Sequence, residues 1–195
     1  MSGWNHNIHY HHILLRAVPP VCVRALDVGC GEGQLARELA GHCQEVFAID
    51  ADRATVLRAR AASETQTRVS FIEGDVMSYP FCADSFDLIA AVASLHHLPL
   101  RPAIERFRSL LKSGGVLAVI GLYRLDTIID FANAAAAVPA SWILRRLHSF
   151  AKIEAPIQKP KDTLCEIRAA FHSLLPGGTF CRHLLFRYSY VWRKP

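Results

Sequence analysis

Long apolar runs are missing from this sequence of 195 residues. A helix that crosses a membrane needs about 20 consecutive apolar residues, and no segment reaches that length. Residues 1–10 are polar and rich in histidine, so they lack the basic start and apolar centre of a secretory signal. We therefore expect a cytoplasmic protein with no membrane partner.

Paired cysteines are also absent, because no two of the six cysteines form a Cys-x-x-Cys pattern. They lie far apart in the chain, at Cys22, Cys30, Cys43, Cys82, Cys165 and Cys181. Without a secretory signal, this spacing is typical of reduced thiols rather than of a disulfide framework or a zinc site. We expect most of these thiols to be buried and no metal to be bound.

The composition, with 51% hydrophobic and 20% charged residues, is typical of one globular domain. The net charge of +5 is uneven. Residues 1–100 contain 7 Lys/Arg and 11 Asp/Glu, whereas residues 101–195 contain 15 and 6. Such asymmetry can mark an anionic partner, although scattered basic residues more often form a solvated face. The charge thus keeps an RNA or protein partner open without requiring one.

Short apolar runs alternate with amphipathic stretches in the first two thirds of the chain, which indicates successive βα units and a parallel sheet. A turn at residues 112–115 is expected to lead into the fifth strand. Five strands are predicted, at residues 23–28, 45–49, 69–73, 86–92 and 116–120.

The alternation of predicted strands and helices ends after the fifth strand. We predict helices at residues 125–138 and 141–148, a helix from the N-cap Asp162 to Leu175, and two closing strands in the aromatic-rich tail. The predicted fold is a Rossmann-like three-layer α/β sandwich. Its sheet is mostly parallel and seven-stranded with an antiparallel closing strand, and an N-terminal helix and a helical insert after strand 5 complete it. The expected division of this single domain is a lid helix (1–20), a cofactor-binding core (21–121), a substrate-side insert (122–161), and a closing helix and strands (162–195).

A Gly-x-Gly-x-Gly cluster at residues 29–33 lies between the first strand and the following helix. Glycine permits a tight turn and brings the backbone close to a ligand at the start of the helix. Asp50 follows the second strand, where a carboxylate can accept hydrogen bonds from both ribose hydroxyls. These features predict an adenosine-containing ligand, and by themselves they leave nicotinamide and flavin cofactors open.

Four motifs resemble class I S-adenosylmethionine-dependent methyltransferases, particularly the methyltransferase type 11 group. They are LDVGCGEG at residues 26–33, EGDV at 73–76, FDLI at 86–89 with SLHHL at 94–98, and LLKSGG at 110–115. The resemblance implies S-adenosylmethionine as cofactor and S-adenosylhomocysteine as product. It implies binding of the cofactor by Asp27, Gly29, Cys30, Gly31, Asp50, Ala51, Gly74, Asp75, Val76 and Ala93.

Methyl transfer requires a nucleophile placed about 3 Å from the methyl group, and a hydroxyl acceptor usually requires a base as well. His96 and His97 are the candidates, because they follow the fourth strand, where functional residues of open α/β sheets collect. Alternatively, one of them packs against the cofactor or caps the next helix.

The opening segment contains His6, His9, His11 and His12 around Tyr10. Histidines at helical spacing can ligate a metal, but no carboxylate supports them here. A helix before the first strand often closes over the cofactor in the family that the chain resembles. We therefore expect a lid with Tyr10 near the methionine carboxylate, or else a plain surface helix.

The acceptor is expected against the insert and the tail, with Tyr123, Trp142 and Arg187 as the substrate residues. Arg187 suits a carboxylate or a phosphate, although an exposed arginine would be merely solvated. The function we predict is methyl transfer to an O or N atom of a small molecule. An RNA or protein methyltransferase docking through the basic C-terminal half is the alternative, and a non-enzymatic cofactor-binding partner is the second. The oligomeric state is left open.

Overall fold

Seven strands and five α-helices form in the residues that the computed structural model describes, which are 8–127, 159–184 and 186–195. The strands are β1 (Arg24–Val28), β2 (Glu45–Asp50), β3 (Val69–Glu73), β4 (Phe86–Val92), β5 (Leu111–Leu122), β6 (Thr179–His183) and β7 (Arg187–Arg193). The helices are α1 (His11–Ala17), α2 (Gln34–Leu39), α3 (Arg53–Ala61), α4 (Leu100–Leu110) and α5 (Leu164–Leu174). Short 3-10 turns at Ile8–Tyr10 and Leu95–His97 precede α1 and α4.

One sheet contains these strands in the order β3-β2-β1-β4-β5-β7-β6. Neighbouring strands are parallel from β3 to β5, and β7 runs antiparallel to both β5 and β6. This confirms the predicted sheet, including its antiparallel closing strand. The helical insert predicted after the fifth strand falls largely outside the described residues.

Apolar side chains cover the sheet on both faces, because successive residues of a strand point to opposite sides. Leu26 and Ile89 belong to a core cluster shared with α4 and α5. Ala25 and Leu88 belong to a second cluster shared with α1, α2 and α3. Burial on both faces explains why β4 is continuously apolar.

The predicted turn at residues 112–115 is wrong, since this segment lies inside β5. Helix α4 ends at Leu110, and the strand begins at once. Leu111 pairs with Phe86 and Val116 with Leu88, so the intervening residues of β5 have too few partners on β4 and bulge. The glycine-containing sequence therefore forms an irregularity within the strand.

The N-cap of α5 is Thr163 and not Asp162 as predicted. The Thr163 hydroxyl accepts a hydrogen bond from the backbone N–H of Glu166 at 3.2 Å, and the Thr163 N–H donates to the Glu166 carboxylate at 2.7 Å. This reciprocal pair is a capping box. The helix predicted from Leu125 does not include residues 125–127, and the remainder of that prediction lies outside the described residues.

Helices α4 and α5, with 11 residues each, are the longest in the described ranges, and neither they nor the shorter ones are long and apolar enough to cross a membrane. The six cysteines are free thiols, as predicted. Cys22, Cys30 and Cys43 are buried, whereas the other three are exposed, so the expectation that most would be buried is wrong.

Because of the capping box, we expect the stability of α5 to depend on the side chain of Thr163. We expect Thr163→Ala to lower the free energy of unfolding by about 1 kcal/mol, because the Glu166 backbone N–H loses its side-chain acceptor and the Glu166 carboxylate loses the hydroxyl donor. Urea denaturation measures this change. Ser173→Ala is the matched control, since the Ser173 hydroxyl only donates to the Ala170 carbonyl within the same helix. An equal effect in both variants would contradict the capping role.

Candidate functional site

The predicted site residues converge at the carboxyl edge of the sheet. Strand β1 lies between β2 and β4, so the loops that follow these strands are neighbours. The backbone N–H groups of Gly29 and Cys30 donate to the Ile49 carbonyl at 2.8 and 3.1 Å. The N–H of Gly74 donates to the Asp50 carbonyl at 2.9 Å. These bonds hold the loops after β1 and β3 against the end of β2.

The glycine loop packs tightly on one side and is open on the other. Gly29 has a φ of 67°, and a Cβ at this position would collide with the Ser94 side chain in the loop after β4. Gly31 has a φ of 54°, and a Cβ there would meet no atom within 4 Å. Gly29 is therefore required for packing, whereas Gly31 leaves space in which a ligand can approach the backbone.

Asp50 is the last residue of β2, and its carboxylate is held in place by the backbone. One oxygen accepts from the Gly31 N–H and the other from the Asp52 N–H, both at 2.9 Å. A carboxylate oxygen can accept more than one hydrogen bond, so capacity for a ligand hydroxyl remains. Ala51, the next residue, is exposed beside it.

Asp27 is the most unusual group of the site. It is 1% exposed, and its Oδ2 atom has no hydrogen-bond partner in the described part of the protein. Burial, and secondarily the neighbouring charge of Asp50, raise the pKa of the Asp27 carboxyl to about 7. A buried carboxylate is costly unless a cationic or hydrogen-bonding group meets it. A ligand with an ammonium group would supply such a partner.

The loop after β3 contributes an exposed carboxylate and a buried apolar side chain. Asp75 is exposed, and its Oδ1 accepts from the Met77 N–H at 2.9 Å. Val76 is 4% exposed and joins the core. Gly74 lies against the Tyr79 ring, which a Cβ would approach to 3.0 Å. Asp75 and Val76 together thus offer a hydrogen-bond acceptor next to an apolar surface.

Two histidines of different exposure follow β4. Ala93 has a positive φ of 51° and donates its N–H to the Ile120 carbonyl at 2.7 Å, which turns the chain sharply. In the 3-10 turn that follows, His96 is half-buried and His97 is exposed, with ring centroids 4.1 Å apart. Ser94 opens the SLHHL motif, although the sequence alone assigns it no role, and its buried hydroxyl has no partner in the described residues. Its contact with Gly29 is visible only in three dimensions.

The described part of the N-terminal segment packs beside α2 and contacts the turn after β6. Tyr10 is 6% exposed, and its hydroxyl donates to the Leu184 carbonyl at 2.9 Å. Its ring centroid lies 5.1 Å from that of His183. His11 anchors the same segment, since its Nδ1 lies 2.8 Å from the Glu38 carboxylate of α2. Tyr10, which the sequence predicted as a cofactor contact, is thus buried against the end of β6.

Among the described residues, no group of three or more His, Cys, Asp or Glu side chains could hold a metal ion. His12 instead donates from Nδ1 to the His9 carbonyl at 2.9 Å, within its own helix start. His6 lies outside the described ranges.

Of the three predicted substrate residues, Tyr123 and Arg187 are buried, and Trp142 lies outside the described residues. Sequence reasoning missed Arg182. Its Nε donates to the Tyr123 hydroxyl at 3.2 Å, and its guanidinium carbon lies 5.6 Å from the centre of that ring. A basic residue facing an aromatic two strands away leaves no signal in the sequence.

Known proteins resemble the chain in both sequence and fold. Residues 25–115 match the family described as "Methyltransferase domain". The chain is 35% identical to an uncharacterized methyltransferase of Mycobacterium tuberculosis over 203 aligned residues, which cover 98% of each protein. Many solved structures share its fold, and two of them illustrate it.

The first is N-methyltransferase NodS from Bradyrhizobium japonicum in complex with S-adenosyl-l-homocysteine, with a TM-score of 0.65 at 20% identity over 98% of this chain and 89% of that one. The second is the YcgJ protein from Bacillus subtilis, with a TM-score of 0.68 at 22% identity over 90% and 71%.

Because burial raises the pKa of the Asp27 carboxyl, we expect the stability of the protein to fall as the pH rises. The pKa of this carboxyl is about 7 when folded and about 4 when unfolded, so the ligand-free protein loses stability as the pH rises from about 4 to about 7, by about 2–4 kcal/mol. We expect Asp27→Asn to remove this pH dependence and to stabilise the ligand-free protein at about pH 8 by about 1–3 kcal/mol. Chemical denaturation at several pH values measures both effects.

Asp87→Asn is the control, and it is expected to destabilise the protein at about pH 8. The Asp87 carboxylate accepts from the backbone N–H groups of Val23 and Arg24 and lies 2.8 Å from Lys112 Nζ. Although burial opposes it, these partners lower the Asp87 pKa, so the charged form stabilises the fold. If Asp27→Asn also destabilised the protein at about pH 8, the description of Asp27 as an uncompensated charge would be wrong.

Proposed function

The chain belongs to the class I S-adenosylmethionine-dependent methyltransferases, and we propose that it transfers the methyl group of that cofactor to an oxygen or nitrogen atom of a small molecule. The observation that carries the proposal is the hydrogen bond from the Tyr10 hydroxyl to the Leu184 carbonyl. It joins the start of the described chain to the turn between β6 and β7, at the edge where the candidate residues lie. A site closed on this side by its own chain would suit a small acceptor better than a nucleic acid or a folded protein.

Cofactor binding falls to the residues at the ends of β1, β2, β3 and β4. S-adenosylmethionine, when bound, supplies an activated methyl group on a sulfonium centre. We assign the ribose hydroxyls to Asp50 and the ammonium of the methionine part to Asp27, whose buried Oδ2 has no partner in the described residues. The open backbone at Gly31 would lie against the ligand. Asp75 and Val76 suit the amino group and the ring of adenine.

The remaining predicted residues complete this assignment. Gly29, Cys30 and Gly74 shape the loops, Ala51 and Ala93 line the opening, and Tyr10 closes over the methionine part. In this proposal residues 21–121 are the cofactor-binding core, residues 1–20 the lid, residues 122–161 the substrate-side insert, and residues 162–195 the closing helix and strands.

We assign the proton-accepting role to His96. Its ring is half-buried directly after β4, whereas His97 is exposed. A base beside the acceptor takes up the proton as the nucleophilic oxygen or nitrogen attacks the methyl group. A ring sheltered from water also holds its orientation better than an exposed one.

Methyl-labelled S-adenosylmethionine and cell extract separated into small-molecule, RNA and protein fractions test the proposal. We expect the purified protein to label the small-molecule fraction. Label confined to RNA or protein would overturn the small-molecule acceptor and favour docking through the basic half of the chain. Cofactor binding by calorimetry without label in any fraction would favour the non-enzymatic alternative.

Single exchanges of the two histidines test the proton acceptor. With the labelled fraction as substrate, we expect His96→Ala to lower kcat about 100-fold or more while the affinity for S-adenosylhomocysteine changes little. The companion variant His97→Ala identifies the ring involved. A larger loss in His97→Ala would reassign the base to His97, and full activity in both variants would show that the acceptor needs none.

A further inference from the structure

Arg187 lies at the same edge of the sheet as the candidate site because β7 is antiparallel. It is the first residue of β7, and it pairs with Leu122 near the end of β5 and with His183 at the end of β6. Parallel strand β5 ends at this edge, so the start of β7 lies there too. Arg187 is thus placed beside the region into which residues following β4 and β5 project.

The Arg187 guanidinium is buried yet charged. The residue is 8% exposed, and burial lowers its pKa to about 10, so the positive charge persists at neutral pH. Tyr10 lies close enough for the charge of Arg187 to oppose the burial-induced rise of the Tyr10 pKa. A planar guanidinium donates hydrogen bonds in a fork that matches a carboxylate or a phosphate, and such bonds are strongest away from water.

One further basic group lies beside this position. His183 lies opposite Arg187 in the strand register, on the face of the sheet where its ring meets Tyr10. Arg182 pairs with Tyr188 instead, so its side chain lies on the opposite face, where its Nε donates to the hydroxyl of the buried Tyr123. The buried carboxylate of the site, Asp27, is on β1, on the other side of β4 and β5. The buried acidic group and the buried basic group of this edge are therefore separated by β4 and β5.

We propose that the small-molecule acceptor carries a carboxylate or phosphate group and that Arg187 binds this oxyanion beside Tyr10. The inference rests on the proposed function, since it concerns the acceptor of that reaction. The oxyanion anchors the acceptor on the β6–β7 side of the site, and the methyl-accepting atom then faces His96.

Anion binding tests this inference without knowledge of the acceptor. The protein saturated with S-adenosylhomocysteine is titrated with inorganic phosphate and, separately, with succinate, at constant ionic strength set by chloride, and Tm is recorded. We expect at least one anion to raise Tm at millimolar concentration. Phosphate alone would indicate a phosphate-bearing acceptor, and succinate alone a carboxylate-bearing one.

Variants locate the binding site. Arg187→Gln should abolish the anion-dependent rise in Tm. Arg193→Gln should retain it, because Arg193 is exposed at the opposite end of β7, where it donates to the Gly114 carbonyl. If Arg187→Gln does not fold, Arg187→Lys should reduce the rise instead, because an ammonium lacks the planar fork of donors. Absence of the rise in the unmodified protein, or its full persistence in the Arg187 variant that is measured, would overturn the inference.

Labelling separates this inference from the proposed function. The small-molecule fraction is passed over an anion-exchange resin, and label is expected only in the retained part. Arg187→Gln should lower this labelling about 30-fold or more with S-adenosylhomocysteine affinity unchanged, and Arg187→Lys should recover part of it. Label in the unretained part would overturn the anionic acceptor but leave small-molecule methylation intact, whereas label only in RNA or protein would overturn both.

Discussion

The parallel register of β1 between β2 and β4 is the constraint on which the rest of the site depends. Because the three strands run in one direction, the loops after them emerge together, and backbone hydrogen bonds to the Ile49 and Asp50 carbonyls fasten the neighbouring loops to the end of β2. Gly29 can then approach Ser94 as closely as it does only because it has no side chain. A carboxylate on β2 and a histidine turn after β4, distant in sequence, become parts of one edge.

The strand order separates the two buried charged groups of that edge. Asp27 lies on β1 and Arg187 on β7, with β4 and β5 between them. Burial shifts the pKa of each group in the direction that favours its neutral form. The Oδ2 atom of Asp27 has no partner in the described residues, and a cationic group of the cofactor would offset the cost of burying it.

Much of the fold was predictable because the local signals agree with the tertiary structure. Apolar runs followed by glycine or a carboxylate predicted the strands, and the fold of the sheet is confirmed. The errors lie where local patterns are ambiguous. Residues 112–115 look like a turn but form a bulge in β5, and Asp162 and Thr163 are both good N-caps, of which only Thr163 has Glu166 at the right spacing.

The sequence by itself determined the fold class, the family resemblance and the residues at the strand ends, since these depend on periodicity and on short motifs. Tertiary structure alone decided which of His96 and His97 is half-buried, and it alone brought Ser94 to Gly29 and Arg182 to Tyr123. It also decided that Tyr10 is tied to Leu184. The physical reason is that burial and contacts between residues 59 to 174 positions apart arise from packing of whole elements, which no local pattern encodes.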